Sequence, residues 1–304
     1  MTHLPGRRHL NAVLLALLVT LLWSSSWVLI KWGLADIAPL PFAGLRYALA
    51  ALLLSPIILT RTNRRALAGC GRRQWGLLVA FGLLQYAVTQ GCQFVALSLL
   101  PATTLSLMLA FTPAVVAVFG VVLLGERIGW REVLGIAVFL GGAGLYFASK
   151  NLPTGAALGL LIGGLGVMAN AGQHLLGRKV NRDTGLPPSL ITAVSMAAGA
   201  AALLTTGVAV QGWPEIAPRG WLIVGWLAVA NTALAFWLWN RAQAVLSALE
   251  SSLINNTMLI QIAVLAVLFL GERLTVMQVT GLGLAGLGVV YVQLVRMRRS
   301  GNLG

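Results

Sequence analysis

Gly125-Glu126-Arg127 and Gly271-Glu272-Arg273 are the same tripeptide, each closing a long apolar run, and they stand 146 residues apart in a chain of 304. That interval is close to half the chain. Sliding the sequence by it also superposes Val118 on Val264, Val121 on Val267, Leu124 on Leu270, Val133 on Val279, Gly135 on Gly281 and Gly142 on Gly288. The chain reads as an internal duplication. In membrane proteins, duplicated halves commonly meet around a solute pathway near the bilayer midplane.

Composition fixes the solvent. Hydrophobic residues make up 58% of the chain and charged ones 9%, and mean hydropathy is +0.88. A water-soluble protein of this length would lack a polar coat. A spanning helix needs about 20 mainly apolar residues. The sequence supplies ten such runs, at about 10–34, 39–60, 75–98, 101–124, 130–149, 153–177, 187–209, 219–240, 246–270 and 275–296. No run alternates with period two, so a lipid-facing barrel is disfavoured. The expected fold is an all-α integral membrane protein of ten transmembrane helices. The first run follows Arg7 and Arg8 but is too long for a cleaved leader and continues through Trp23, Trp27 and Trp32, so it counts as a span.

The net charge of +14 would suggest nucleic acid in a soluble protein, but its placement decides otherwise. Counted over alternate connections from the N-terminus, sixteen Lys and Arg fall on one side of the membrane. Only Lys150, Arg219 and Arg273 fall on the other. The positive-inside rule then puts both termini in the cytoplasm and makes the number of spans even, in a multi-pass protein of the cell inner (plasma) membrane. The bilayer and its anionic headgroups are the expected partners of the basic excess. No basic and aromatic interleave suggests a nucleic-acid partner. Cys70 in a loop and Cys92 in a span imply neither a disulfide nor a metal site.

A break at Lys150-Asn151-Leu152-Pro153 separates two five-span repeats, 10–149 and 153–296. Five is odd, so the second repeat enters the membrane from the opposite face and the repeats are inverted. Such a pair lets one sequence adopt two related states that exchange exposure, the physical basis of alternating access. In each repeat two glycines seven apart, Gly135/Gly142 and Gly281/Gly288, mark a small face for close helix packing.

Further stretches carry a family resemblance. They are Leu22-Trp23-Ser24-Ser25-Ser26-Trp27 with Lys31 in span 1, and Pro39-Leu40-Pro41-Phe42-Ala43-Gly44-Leu45-Arg46-Tyr47 in span 2. They continue with Gln93-Phe94-Val95-Ala96-Leu97 through Pro101-Ala102 into span 4, with Pro113 after them. In order and spacing, over essentially the whole chain, they resemble the drug/metabolite transporter superfamily and its EamA-type ten-helix exporters. The Gln- and Trp-rich spans are similar to the aromatic amino-acid exporters. The resemblance implies export of amino acids and other small metabolites. The second repeat departs from the first: Asn255-Asn256 replaces the region around Leu109, and Leu259 stands where Pro113 does, so the halves need not bend alike.

Polar groups within hydrocarbon are costly unless they face protein or water, which makes each a candidate for the pathway. At α-helical spacing, Gln85, Thr89 and Gln93 share one face of span 3, with Tyr86 and Gln90 beside it. These amides, hydroxyls and phenol suit a solute's ammonium and carboxylate, or alternatively bonding between helices. Trp23 and Trp27, with Ser24, offer span 1 an aromatic surface; Trp32, Trp75, Trp130, Trp213 and Trp221 read as interfacial anchors. Span 6 brings Asn170, Gln173 and His174, the last able to take a proton or to serve in packing. Span 8 offers Thr232, Phe236 and Asn240 with Trp237 beside them. Span 9 adds Ser252, Asn255 and Asn256, expected to face the first repeat.

Lys31, Arg46 and Glu250 are the ionisable candidates for coupling or gating. Lys31 is placed to snorkel outward, Arg46 to tie span 2 to neighbouring carbonyls or meet substrate, and Glu250 to couple protons or pair with Arg241. Glu126-Arg127 and Glu272-Arg273 read as gates or helix-end staples. No cofactor or metal is implied, and oligomeric state is open. The expected function is secondary transport of a small-molecule substrate through a cavity lined by spans 1, 3, 4, 6, 8 and 9. Alternatives are export of drugs or nucleosides, a channel or lipid scramblase, and a polytopic membrane enzyme. The enzyme would need clustered carboxylates, and the seven acidic residues are scattered.

Overall fold

The computed structural model describes residues 7–124, 129–149 and 155–301. The chain is 88% helix with no strand among the described residues. Among the described residues ten helices are long and apolar enough to cross a membrane: Arg8–Gly33, Pro39–Leu59, Arg72–Leu99, Ala102–Phe119, Trp130–Ala148, Ala156–Thr184, Pro188–Gln211, Pro218–Gln243, Glu250–Leu270 and Val276–Val295. These are spans 1 to 10. Their outer faces carry large apolar side chains, Leu222 at 75% exposure and Leu287 at 66%. Such surfaces are stable only against lipid or a partner. The tripeptide at 125–127 and the break at 150–153 lie outside the described residues.

Between spans 2 and 3 runs a short helix, Arg61–Ala68, not anticipated in the sequence. Thr60 caps it, and Leu67 is its buried residue while Arg61, Arg64 and Arg65 are exposed. Span 4 breaks: one helix ends at Leu109 and the next begins at Thr112. Pro113 accounts for this, because it has no N–H to donate to the Leu109 carbonyl four residues back and its ring crowds that carbonyl, while it is tolerated in the first turn of the next helix. Span 9, with Leu259 at the equivalent position, runs unbroken from Ala248 to Leu270. Gly271, in the left-handed region at φ 66°, ends it.

Two compact units make up the fold, and each draws on both halves of the sequence. One comprises Met1–Val28, Pro101–Pro153 and Leu234–Gly304. Within it spans 5 and 10 pack by their glycines. A Cβ on Gly142 would lie 2.6 Å from the Gly281 carbonyl oxygen, and one on Gly288 2.7 Å from that of Gly135. The pairing 135 with 288 and 142 with 281 is antiparallel and reciprocal, as a pseudo-two-fold axis between equivalent helices of inverted repeats requires. Phe139, Tyr146, Leu259, Leu282 and Val289 fill the core around it. The other unit comprises Leu29–Leu100 and Thr154–Ala233. There Gly82 of span 3 meets span 7 so closely that a Cβ would fall 2.1 Å from the Ser195 carbonyl oxygen. Leu78, Val180, Leu190 and Ile191 form an apolar core at one end.

Candidate functional site

Span 3 is not a uniform α-helix. Residues Leu83–Thr89 form a π-helix, which rotates Gln85, Thr89 and Gln93 off the single face that α-helical spacing predicts. Thr89 is buried, and its hydroxyl donates to the Leu84 carbonyl at 2.8 Å, five residues back. Span 8 repeats the device. Residues Val229–Leu234 are a π-helix, and the Thr232 hydroxyl donates to the Leu227 carbonyl at 2.8 Å. A widened turn leaves carbonyls without their α-helical partners, and the hydroxyl supplies one. π-Bulges of this kind are frequent at functional sites.

The second π segment also holds, through Thr232, a buried cation of span 2. Arg46, at 5% exposure, donates from Nε to Thr232 Oγ1 at 3.1 Å, and its guanidinium lies 5.1 Å from the Tyr47 ring. Among the described residues its hydrogen-bond partner is therefore a hydroxyl and not the carbonyls expected from sequence. The Tyr47 and Tyr86 rings pack at 5.5 Å, so a contact chain joins spans 8, 2 and 3. Gln85 keeps its Oε1 enclosed without a hydrogen bond among the described residues, a costly state for a buried acceptor. Gln93 is half-buried. Lys31 does not snorkel: its ammonium donates to the carbonyls of Leu97 at 2.6 Å and Leu100 at 2.9 Å. It satisfies the C-terminal end of span 3, where a cation is favoured. On span 6 Gln173 is buried and donates to Asn170 Oδ1 at 3.0 Å, while His174 is exposed.

In the unit that holds both termini, Trp23 packs edge-on to Phe236 at 5.8 Å and against Trp239 at 5.2 Å. Ser24 is fully buried and donates to Gln261 Oε1 at 2.9 Å. Gln261 donates in turn to Thr20 at 3.1 Å and Thr257 at 2.9 Å. Trp27 is buried at 5% exposure, and Trp237 is exposed beneath the Arg241 guanidinium at 4.8 Å. Asn256, expected to face the first repeat, has a hydrogen-bond partner within the second. It donates to Gln293 Oε1 on span 10 at 2.5 Å, as Ser252 does at 2.7 Å, while Asn255 is exposed. Glu250 pairs with His9 at 2.9 Å and not with Arg241, and its other oxygen accepts from the Ser247 N–H and hydroxyl in a capping box.

Glu272 of the second tripeptide accepts from the Ala102 N–H at 2.6 Å and the Thr103 hydroxyl at 2.5 Å, and Tyr146 completes the cluster at 2.9 Å from Thr103 and Thr104. Tyr146, Gln261 and Gln293 were not anticipated. The available signal was two glutamines and a phenol inside otherwise apolar runs.

Buried amides, hydroxyls and one cation stationed inside apolar spans are the equipment of a polytopic transporter. The chain belongs to the EamA-like transporter family, whose model matches residues 10–148 and again 156–294. It is 30% identical over 241 residues to an uncharacterized transporter, YvbV, of Bacillus subtilis (strain 168), covering 78% of this chain and 72% of that one. It is 28% identical over 246 residues to a probable biotin transporter of Pseudomonas aeruginosa, covering 79% and 82%. A crystal structure of 19% sequence identity superposes with TM-score 0.64 over 95% of this chain and 98% of its own, which bears on the fold alone. The protein is a multi-pass membrane transporter.

Proposed function

We propose that this transporter exports small amphipathic metabolites, foremost amino acids including aromatic ones, by alternating access of its two inverted repeats, with both termini in the cytoplasm of a plasma-membrane protein. The observation that carries the reading is the neighbouring placement on span 1 of an aromatic surface, Trp23 against Phe236 and Trp239, and a buried hydroxyl and amide network, Ser24 with Gln261. An amphipathic solute needs both kinds of contact. The reciprocal glycine contact of spans 5 and 10 supports an equilibrium between two pseudo-symmetric states.

A second reading, export of another carboxylated metabolite, draws on the Pseudomonas aeruginosa relative described as a biotin transporter. Uptake of radiolabelled tryptophan, phenylalanine, threonine, methionine and biotin into liposomes holding the purified protein separates the two. Saturable, competable uptake of amino acids supports the first reading, and uptake of biotin alone replaces it with the second.

A further inference from the structure

Arg46 is the eighth residue of span 2, roughly 10 Å along the helix from Pro39 at 1.5 Å per residue. Its guanidinium stays charged under any physiological condition and has five N–H donors. Among the described residues only one is used, the Nε–H to Thr232. The Tyr47 ring faces the cation, but no carboxylate of the described residues lies within 4.0 Å of it, since their ion pairs are His9 with Glu250 and Asp183 with Arg73 and Arg182. The two terminal nitrogens donate to nothing in the described protein. Neither is among the fully enclosed side-chain atoms of the described residues that lack a hydrogen bond.

A purely structural arginine in this setting would be expected to spend its planar fork on carbonyls or a carboxylate. Here Thr232 holds the Nε edge, and its own hydroxyl is fixed by the π turn of span 8. The guanidinium is thus oriented with its outer edge free. We infer that the terminal nitrogens of Arg46 form the anion subsite of the transported solute, receiving one carboxylate in bidentate fashion. The assignment rests on the reading of the chain as a metabolite exporter. A monoanion matches the single cation present; a phosphate dianion would call for a second. The Tyr47 and Tyr86 rings suit the apolar part of such a solute.

The test is equilibrium binding to the purified full chain of radiolabelled acids and their uncharged-terminus amides: phenylalanine with phenylalaninamide, tryptophan with tryptophanamide, biotin with biotinamide. Inorganic phosphate serves as competitor. At least one acid is expected to bind wild-type protein, and its amide at least about ten-fold more weakly. Arg46→Gln reduces acid binding to the level of the amide, and Arg46→Lys falls between. Should Arg46→Gln not fold, the acid and amide contrast in wild type and the Arg46→Lys loss carry the test. Equal binding of acid and amide, no binding of any acid, or displacement by phosphate and not by acids overturns the assignment. Flux in liposomes separates it from the parent reading. Amino acids moved by Arg46→Gln with unchanged KM would sink the subsite and leave the exporter. Acid binding lost in Arg46→Gln, without amino-acid flux in wild type, would sink the amino-acid reading and leave the subsite.

Discussion

Glu272 holds the first turn of the helix that begins at Ala102: its carboxylate accepts from the Ala102 N–H at 2.6 Å and from the Thr103 hydroxyl at 2.5 Å. The four leading N–H groups of a helix have no partner within it, and a carboxylate there is favoured by charge as well as by hydrogen bonding. The tripeptide after span 9 thereby fastens the entry of span 4. Glu272→Ala is expected to cost about 1–3 kcal/mol and to lower the thermal midpoint of the purified protein, with Thr103→Val losing part of that. An unchanged midpoint in Glu272→Ala would show that the cap contributes nothing to stability.

Glycines at the contact of spans 5 and 10 differ from their neighbours in one measurable respect. A Cβ on Gly142 meets the backbone of Gly281 and Ala285 within 2.6 Å, whereas one on Gly141 or Gly144 meets nothing within 4 Å. Gly142→Ala should therefore destabilise by about 1–3 kcal/mol through overpacking, and Gly141→Ala should not destabilise at all. Chemical denaturation of the two variants side by side decides it, and equal stabilities would refute the close contact.

Lys31→Met removes both donors to the end of span 3, Leu97 and Leu100. A loss of about 1–3 kcal/mol is expected, with Lys31→Arg retaining much of the wild-type stability. A Lys31→Met protein as stable as wild type, with altered flux, would return Lys31 to a coupling role.

Thr89 and Thr232 make the same bond in the two π segments, but Thr232 also accepts from Arg46. Thr89→Val should cost about 0.5–1.5 kcal/mol. Thr232→Val should cost more, because it also strands a buried cation's donor. Equal costs, measured by thermal unfolding, would mean that the Arg46 bond contributes nothing.

The spans and the duplication were legible because hydrophobic runs and repeated glycines are one-dimensional patterns. The break at Pro113 was legible for the same reason, since a missing N–H acts locally. The π segments were not. They insert an irregular turn without a sequence marker, and the face assigned to Gln85, Thr89 and Gln93 from α-helical spacing moved with it. Pairings across the fold were equally hidden. Asn256 turned to Gln293 and Glu250 to His9, choices made by tertiary proximity. The sequence pointed to Arg241 as the partner of Glu250 and carried no sign of His9.

The glycine contact of spans 5 and 10 asks for nothing that a single repeat lacks. Gly135 meets Gly288 and Gly142 meets Gly281, so each helix presents to the other the face that it receives. A five-span polypeptide inserted into the membrane in both orientations would meet its own copy through this same surface. At this contact, fusion of the two halves into one gene secures equal numbers of the two orientations, which a separate half would have to obtain by chance at every insertion.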